Sequence, residues 1–189
     1  MSRIDTLAER YKRYIALPWQ KHLSGAQRVI FVVYDKADEK RLRVRKELFE
    51  IATKESGHGW IECDLTDAFA QWMANTEYRD SYFESPEDLE LKLESDFLEQ
   101  VAGRVRNFLE APEADENAVV SIYGVASLFG FVRVSELMEA VERDIRGRVV
   151  VFFPGEYENN NYRLMDARDG WNYLAVPITL HEDREVYAV

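Results

Sequence analysis

The sequence predicts an α/β fold: one domain, residues 1–189, with a largely parallel sheet flanked by helices on both faces. Two observations predict this class. Short apolar, β-branched runs alternate along the chain with longer segments whose apolar residues recur at helical spacing. Such alternation is typical of parallel sheets, because a parallel crossover needs a connecting helix. The length of 189 residues and the 47% hydrophobic content also suit one domain with a substantial core.

The first third of the chain predicts a helix, a strand and a second helix. Apolar residues near the N-terminus share one helical face, and Ser2 is positioned to cap that helix. An uninterrupted apolar run, residues 29–34, then predicts a strand that is covered on both faces. The following helix is predicted to begin at Asp35 or Asp38, either of which can cap it, and to end before Gly57.

The middle of the chain continues this alternation. A second strand is predicted over residues 60–65, and Thr66 is positioned to cap a short helix after it. The stretch 75–84 is polar and aromatic without periodicity, which predicts a loop. At Ser85 a capping serine, a proline and two acidic residues predict the start of a long helix that continues as far as Pro112.

The last third supplies the remaining strands. Two buried strands are predicted at residues 118–123 and 149–153, with a helix between them at 134–145. Two short strands are predicted near the C-terminus, at residues 162–165 and 173–178. An Asn-Asn-Asn turn precedes the short strands, which are expected to extend one edge of the sheet. The fold is thus predicted to have a P-loop-like layout without a Walker A motif.

Charge and cysteine content argue against several classes of protein. Thirty-five acidic against twenty-four basic residues give a net charge of -11, the sign opposite to what strong nucleic-acid binding favours. The basic cluster at residues 41–46 is therefore predicted to be a solvated helix face.

The single Cys63 is predicted to be a small buried hydrophobe in a reducing compartment. No apolar run reaches the roughly 18 residues that span a bilayer, so a cytoplasmic protein without membrane contact is expected.

The carboxyl ends of the strands are where α/β sheets bind ligands. The turn at residues 35–39 lacks the glycines and the Lys-Ser/Thr pair of a phosphate-binding loop, so no cofactor is predicted. Asp35 and Asp64 are expected at neighbouring strand ends, where paired carboxylates can hold magnesium. The favoured alternative is that both only flank helix starts, because no third acid or lysine stands at nuclease-like spacing.

A candidate binding surface follows the strand at 149–153, where the sequence continues as Phe-Phe-Pro-Gly-Glu-Tyr. Proline and glycine predict a tight turn that presents the glutamate and the tyrosine at the sheet edge. The preceding strand leads into an equivalent turn, so both are expected to form one charged and aromatic rim. Alternatively, Tyr157 fills the core, and Arg133 in the turn after the preceding strand pairs with Glu136 or Glu156. The candidate partner-binding residues are Arg133, Pro154, Gly155, Glu156 and Tyr157.

The order and spacing of these motifs resemble the BrxB family of BREX (bacteriophage exclusion) systems. The pattern is a strand followed by Tyr-Gly-Val-x-Ser-Leu-Phe and Val-Arg-Val-Ser-Glu-Leu, then a strand with Phe-Phe-Pro-Gly-Glu-Tyr, then Tyr-Arg-Leu-Met and Asn-Tyr. The resemblance is densest between residues 119 and 178. Ala126 and Gly130 depart from the glycine and the proline expected at those positions.

This resemblance implies participation in BREX, which methylates host DNA and blocks phage replication. Family members are encoded beside an ATPase, a DNA methyltransferase and PglZ, an alkaline-phosphatase-like protein. The resemblance carries over no active site, so a non-catalytic scaffold or adaptor is expected. Its expected partners are other BREX proteins, foremost PglZ, then the ATPase or methyltransferase subunits. The competing hypothesis is a metal-dependent phosphoryl-transfer or nuclease subunit that uses Asp35 and Asp64.

Overall fold

One sheet of seven strands organises the described part of the chain. The structure is a computed structural model that describes residues 2–181. The strands are Val29–Tyr34 (β1), Gly59–Asp64 (β2), Ala118–Tyr123 (β3), Arg148–Glu158 (β4), Asn161–Leu164 (β5), Trp171–Asn172 (β6) and Val176–Ile178 (β7). The main path runs β2-β3-β4-β1-β7, and every pair along it is parallel. β5 and β6 instead continue from β4 in antiparallel pairs.

Eight α-helices accompany these strands within residues 2–181. They are Arg3–Ile15 (α1), Glu39–Arg45 (α2), Glu47–Glu55 (α3), Ala68–Asn75 (α4), Arg79–Glu84 (α5), Glu87–Lys92 (α6), Leu98–Leu109 (α7) and Val134–Val141 (α8). A π-helical turn, Leu93–Phe97, joins α6 to α7. The mixed α/β class and the mostly parallel sheet are therefore confirmed. None of these helices is both long enough and apolar enough to cross a membrane.

The N-terminal helix α1 begins with the cap expected from Ser2. The Ser2 hydroxyl accepts a hydrogen bond from the Asp5 backbone N–H at 3.2 Å, and the Asp5 carboxylate accepts one from Ser2 N at 2.9 Å. This reciprocal pair satisfies two backbone donors that a helix start leaves free. Tyr11 lies on the buried face of α1, and its hydroxyl hydrogen-bonds with Thr53 of α3 at 2.6 Å.

The central strand β1 is buried along its whole length. Its odd-numbered residues, from Val29 to Val33, belong to a core cluster that also contains residues of α4, α7 and α8. Its even-numbered residues, from Ile30 to Tyr34, belong to a second cluster with residues of α1, α2 and α3. Because successive strand side chains point to opposite faces, an uninterrupted apolar run is what such a position requires.

Several helix boundaries differ from the predictions. The predicted loop at 75–84 contains α5, which the sequence pattern does not indicate because Tyr82 is its single buried side chain. The predicted helix before Gly57 is two helices, α2 and α3, that meet at Lys46. Thr66 does not cap α4, because its hydroxyl is hydrogen-bonded to Asp64 and Arg43 instead.

The long helix predicted from Ser85 is also interrupted and begins without a side-chain cap. Its predicted apolar face repeats every four residues, at positions 89, 93, 97, 101 and 105. In an α-helix with 3.6 residues per turn, each such step drifts by about 40°. The wider π-helical turn at Leu93–Phe97 counters this drift, so Phe97 stays fully buried.

The predicted tight turn at Pro154 and Gly155 is wrong, because both residues lie inside β4. The strand changes partner there, from the parallel neighbour β1 to the antiparallel neighbour β5. A Cβ at Gly155 would lie 2.1 Å from the Arg163 carbonyl oxygen, so the close approach of β5 requires glycine. The chain reverses later, at Asn159 and Asn160, whose φ angles of 50° and 62° suit a two-residue hairpin.

Candidate interaction site

The carboxyl ends of β1 and β2 carry a network of polar side chains that bind one another. The Asp64 carboxylate accepts hydrogen bonds from the Thr66 backbone N–H, at 2.9 Å, and from the Thr66 hydroxyl. Arg43 donates to Asp64 at 3.4 Å, to Thr66 at 2.8 Å and to Glu39 at 2.7 Å. Glu39 also accepts a hydrogen bond from the Tyr34 hydroxyl. These five side chains are thus engaged with one another within the chain.

The protonation states in this network follow from the same contacts. Burial alone would raise the pKa of Asp64, but the hydrogen bonds from Thr66 and the charge of Arg43 outweigh it, so that pKa lies below its ordinary value. Burial, and then the hydrogen bond to Glu39, raise the pKa of the Tyr34 hydroxyl well above its usual value. At neutral pH Asp64 is therefore an anion and Tyr34 is neutral.

Asp35 and Asp64 do not form the predicted carboxylate pair. Strands β4 and β3 lie between β1 and β2, so the two strand ends are three inter-strand spacings apart, about 14 Å. The Asp35 carboxylate instead accepts a hydrogen bond from the Ala37 backbone N–H at 2.8 Å, as a helix cap does. Within residues 2–181, no three His, Cys, Asp or Glu side chains are placed to hold a metal ion.

Two further side chains with catalytic potential near these strands are Cys63 and His58. Cys63 is buried in β2, as predicted, and burial raises the pKa of its thiol to about 12. The thiol is therefore protonated at neutral pH and is a poor nucleophile. His58 stacks on Trp19 with ring centroids 3.8 Å apart, and its Nδ1 lies 2.7 Å from the Asn117 side-chain oxygen.

The basic cluster at residues 41–46 is neutralised by acidic neighbours. Each member has an ion-pair partner: Arg41 with Asp38, Arg43 with Glu39, Arg45 with Asp5 and Lys46 with Glu62. These pairs leave little uncompensated positive charge to attract phosphate groups. The cluster therefore has the character of an ion-paired helix surface.

The structure places the predicted rim residues in different surroundings. Glu156 is exposed on β4 and forms an ion pair with Arg163, the residue directly opposite on β5. Tyr157 is half-buried and packs on Tyr162, with ring centroids 4.7 Å apart. Arg133 pairs with neither predicted glutamate within the described residues, and it lines a separate groove.

This groove, with a volume of about 970 Å³, lies between three segments of the fold. Its walls are the helical segment 90–98, the loop that leads into α8 and the segment of β5 and β6. Its main apolar side chains are Leu93, Leu98, Phe129, Phe131, Leu164 and Trp171. Its charged side chains are Glu90, Glu94, Arg133, Glu136, Arg168 and Asp169. None of the six charged groups forms an ion pair with another described residue.

The aromatic floor of the groove is held in place by the core beneath it. Phe131 stacks on Phe69 with ring centroids 4.1 Å apart and an interplanar angle of 4°. Trp171 packs on Tyr162 at 5.4 Å, and its indole Nε1 is buried without a hydrogen-bond partner among the described residues. Phe129 keeps 42% of its surface exposed. Aromatic side chains that pack on the core and remain partly exposed lose little conformational freedom on binding.

Of the residues that form the groove, Arg133 is a candidate predicted from the sequence, and the turn before it is part of the predicted rim. The three walls come from segments that are far apart along the chain, so their approach depends on tertiary structure. The one local signal is the pair Phe129 and Phe131 in a glycine-containing connection, where a loop would ordinarily be polar. This signal marks an exposed aromatic surface but gives neither its shape nor its neighbours.

The fold and the groove define a mixed α/β protein with a preformed apolar surface beside an antiparallel extension of its sheet. The family model described as BREX protein BrxB matches residues 61–178, which is more than half of the chain. The chain therefore belongs to the BrxB family and is a component of a BREX phage-defence system. The matched span begins in β2, ends in β7 and contains every residue that lines the groove. No curated protein and no solved structure matches the chain.

Proposed function

We propose that this protein is a non-catalytic scaffold or adaptor subunit of a cytoplasmic BREX complex and that its principal partner is PglZ. Family membership supports a role beside other BREX proteins. The observation that carries the adaptor role is the groove, whose aromatic floor is partly exposed and whose charged rim lacks ion pairs among the described residues. Exposed apolar surface rimmed by polar groups is characteristic of protein-binding sites.

The strand ends give a second line of support. In open α/β sheets, ligands bind at the carboxyl ends of the strands. Here Asp64, Thr66 and Arg43 bind one another at that position, and Asp35 caps a helical turn. These side chains have structural roles, and binding of another BREX protein does not require them to do chemistry.

The adaptor role is tested by co-expression of the tagged chain with PglZ, the ATPase and the methyltransferase of its own BREX system. We expect PglZ to co-purify in a fixed stoichiometry and to remain bound as the salt concentration rises, because apolar contacts are not screened by salt. A matched co-expression without PglZ controls for recruitment through the other subunits. If the chain purifies alone at every salt concentration, the adaptor proposal is wrong.

A further inference from the structure

Much of the negative charge of the chain lies in the segment that contains one wall of the groove. Residues 77–99 contain nine acidic and two basic side chains, a net charge of -7 out of the -11 of the whole chain. Glu90 and Glu94 of this segment are exposed and line the groove, and neither has an ion-pair partner in the described part of the chain. This wall therefore presents uncompensated carboxylates directly beside an apolar floor.

The same wall carries the one π-helical turn among residues 2–181. The turn, Leu93–Phe97, places the apolar Leu93 and the acidic Glu94 together along the groove, while Phe97 stays in the core. Isolated π-helical turns inside longer helices occur frequently at functional sites. The side chains of this wall that line the groove thus alternate between acidic and apolar: Glu90, Leu93, Glu94 and Leu98.

The chemistry of the walls restricts what can occupy the groove. The acidic wall repels the phosphates of a nucleic acid. A small-molecule site would be expected to have a few fixed polar groups that converge on the ligand, whereas all six charged groups here are exposed. A helix that is apolar on one face and basic on the other matches both the floor and the wall.

We propose that the groove binds a short amphipathic helix with a basic polar face, contributed by a BREX partner protein. This inference rests on the proposed adaptor function and specifies its binding site. The apolar face of the helix packs on Phe129, Phe131 and Trp171, as in other helix-in-groove complexes. Its Lys or Arg side chains lie against Glu90 and Glu94, which set the orientation and accelerate association.

The test uses the full chain and labelled synthetic peptides of about 18 residues, or five helical turns. One peptide places Leu and Lys to form an amphipathic helix, a second has Glu in place of every Lys, and a third has the Leu and Lys order scrambled. Fluorescence anisotropy at about 0.1 M salt measures each affinity. We expect the first peptide to bind at least about tenfold more tightly than either of the others.

Paired variants locate the binding surface. Glu90→Lys with Glu94→Lys should weaken binding of the Leu/Lys peptide by about tenfold or more, because it reverses two charges at the contact. Glu84→Lys with Asp88→Lys makes the same charge change in the same segment, outside the lining of the groove, and should have a much smaller effect. Equal losses in both pairs would mean attraction by overall charge and would overturn the proposal. Thermal melting establishes that both pairs are folded.

Co-purification separates this inference from the adaptor proposal. If the wild-type chain binds its BREX partners and the Glu90→Lys, Glu94→Lys variant binds them equally well, the groove proposal is wrong and the adaptor proposal stands. If the wild-type chain binds no BREX partner, the adaptor proposal fails whatever the peptides do. If the wild-type chain binds its BREX partner and the Glu90→Lys, Glu94→Lys variant does not, both the adaptor proposal and the groove proposal are supported.

Discussion

Gly124 connects the carboxyl end of β3 to the polar network that follows β2. Its φ of +78° lies in the left-handed region, which L side chains rarely adopt. A Cβ at this position would lie 2.5 Å from both the backbone nitrogen and the hydroxyl oxygen of Thr66. Thr66 in turn donates a backbone hydrogen bond to Asp64 and accepts one from Arg43 through its hydroxyl. One glycine therefore allows two strand ends to pack closely.

Replacement of Gly124 by alanine should destabilise the protein. We expect Gly124→Ala to lower the free energy of unfolding by about 1–3 kcal/mol, because it adds backbone strain and a steric clash. Gly103→Ala is the matched control, since a Cβ there meets nothing within 4 Å in the interior of α7. It should raise the free energy of unfolding by up to about 1 kcal/mol. Urea denaturation measures both, and shifts of the same sign would contradict this explanation.

Asp64 should make stability depend on pH. Because its pKa is lowered in the folded state, it stabilises the fold above its unfolded pKa of about 3.9 and loses this effect as the pH falls through the folded value. Its side chain is 53% exposed, so Asp64→Asn should cost less than about 1 kcal/mol at neutral pH.

Urea denaturation of the wild type and of Asp64→Asn at a series of pH values tests this dependence. The difference between the two should be largest at neutral pH and should shrink below about pH 4. A difference that does not change with pH would mean that the asparagine acts through packing rather than through the lost charge.

At the scale of elements, the sequence predicted the buried strands best. The apolar runs at 29–34 and 118–123 coincide with β1 and β3, because strands covered on both faces leave an unambiguous pattern. The break at Leu93–Phe97 also had a local signal, the drift of a four-residue repeat. The Pro-Gly pair was misleading, because the same residues that form turns also allow a strand to change partners.

The hairpin of β4 and β5 depends on cross-strand pairs such as Glu156 with Arg163. Glu156→Lys places two positive charges directly opposite and should lower the free energy of unfolding by about 0.2–1 kcal/mol. Arg163→Glu should have a similar effect, whereas the double charge swap should recover most of the loss. Urea denaturation of the three variants gives the coupling between the two sites. A double variant as unstable as the sum of the singles would show that the pair contributes no attraction.

At the scale of the whole molecule, strand order decides which residues can act together. The sequence placed Asp35 and Asp64 at strand ends correctly, but the order β2-β3-β4-β1-β7 separates them. The same tertiary arrangement brings Arg133 to segments 90–98 and 164–171, which no local pattern indicated. Residue types and strand positions were therefore predictable, whereas the composition of the candidate site was not.

We propose that this BrxB-family protein binds its BREX partner through the groove, and amide hydrogen exchange of the chain alone and in the co-expressed complex with PglZ tests this proposal. We predict slower exchange in the complex at residues 129–136 and 164–171, and unchanged exchange in α1, which does not contribute to the groove. Unchanged exchange in the two groove segments, with protection of α1 or α3 instead, would contradict the claim.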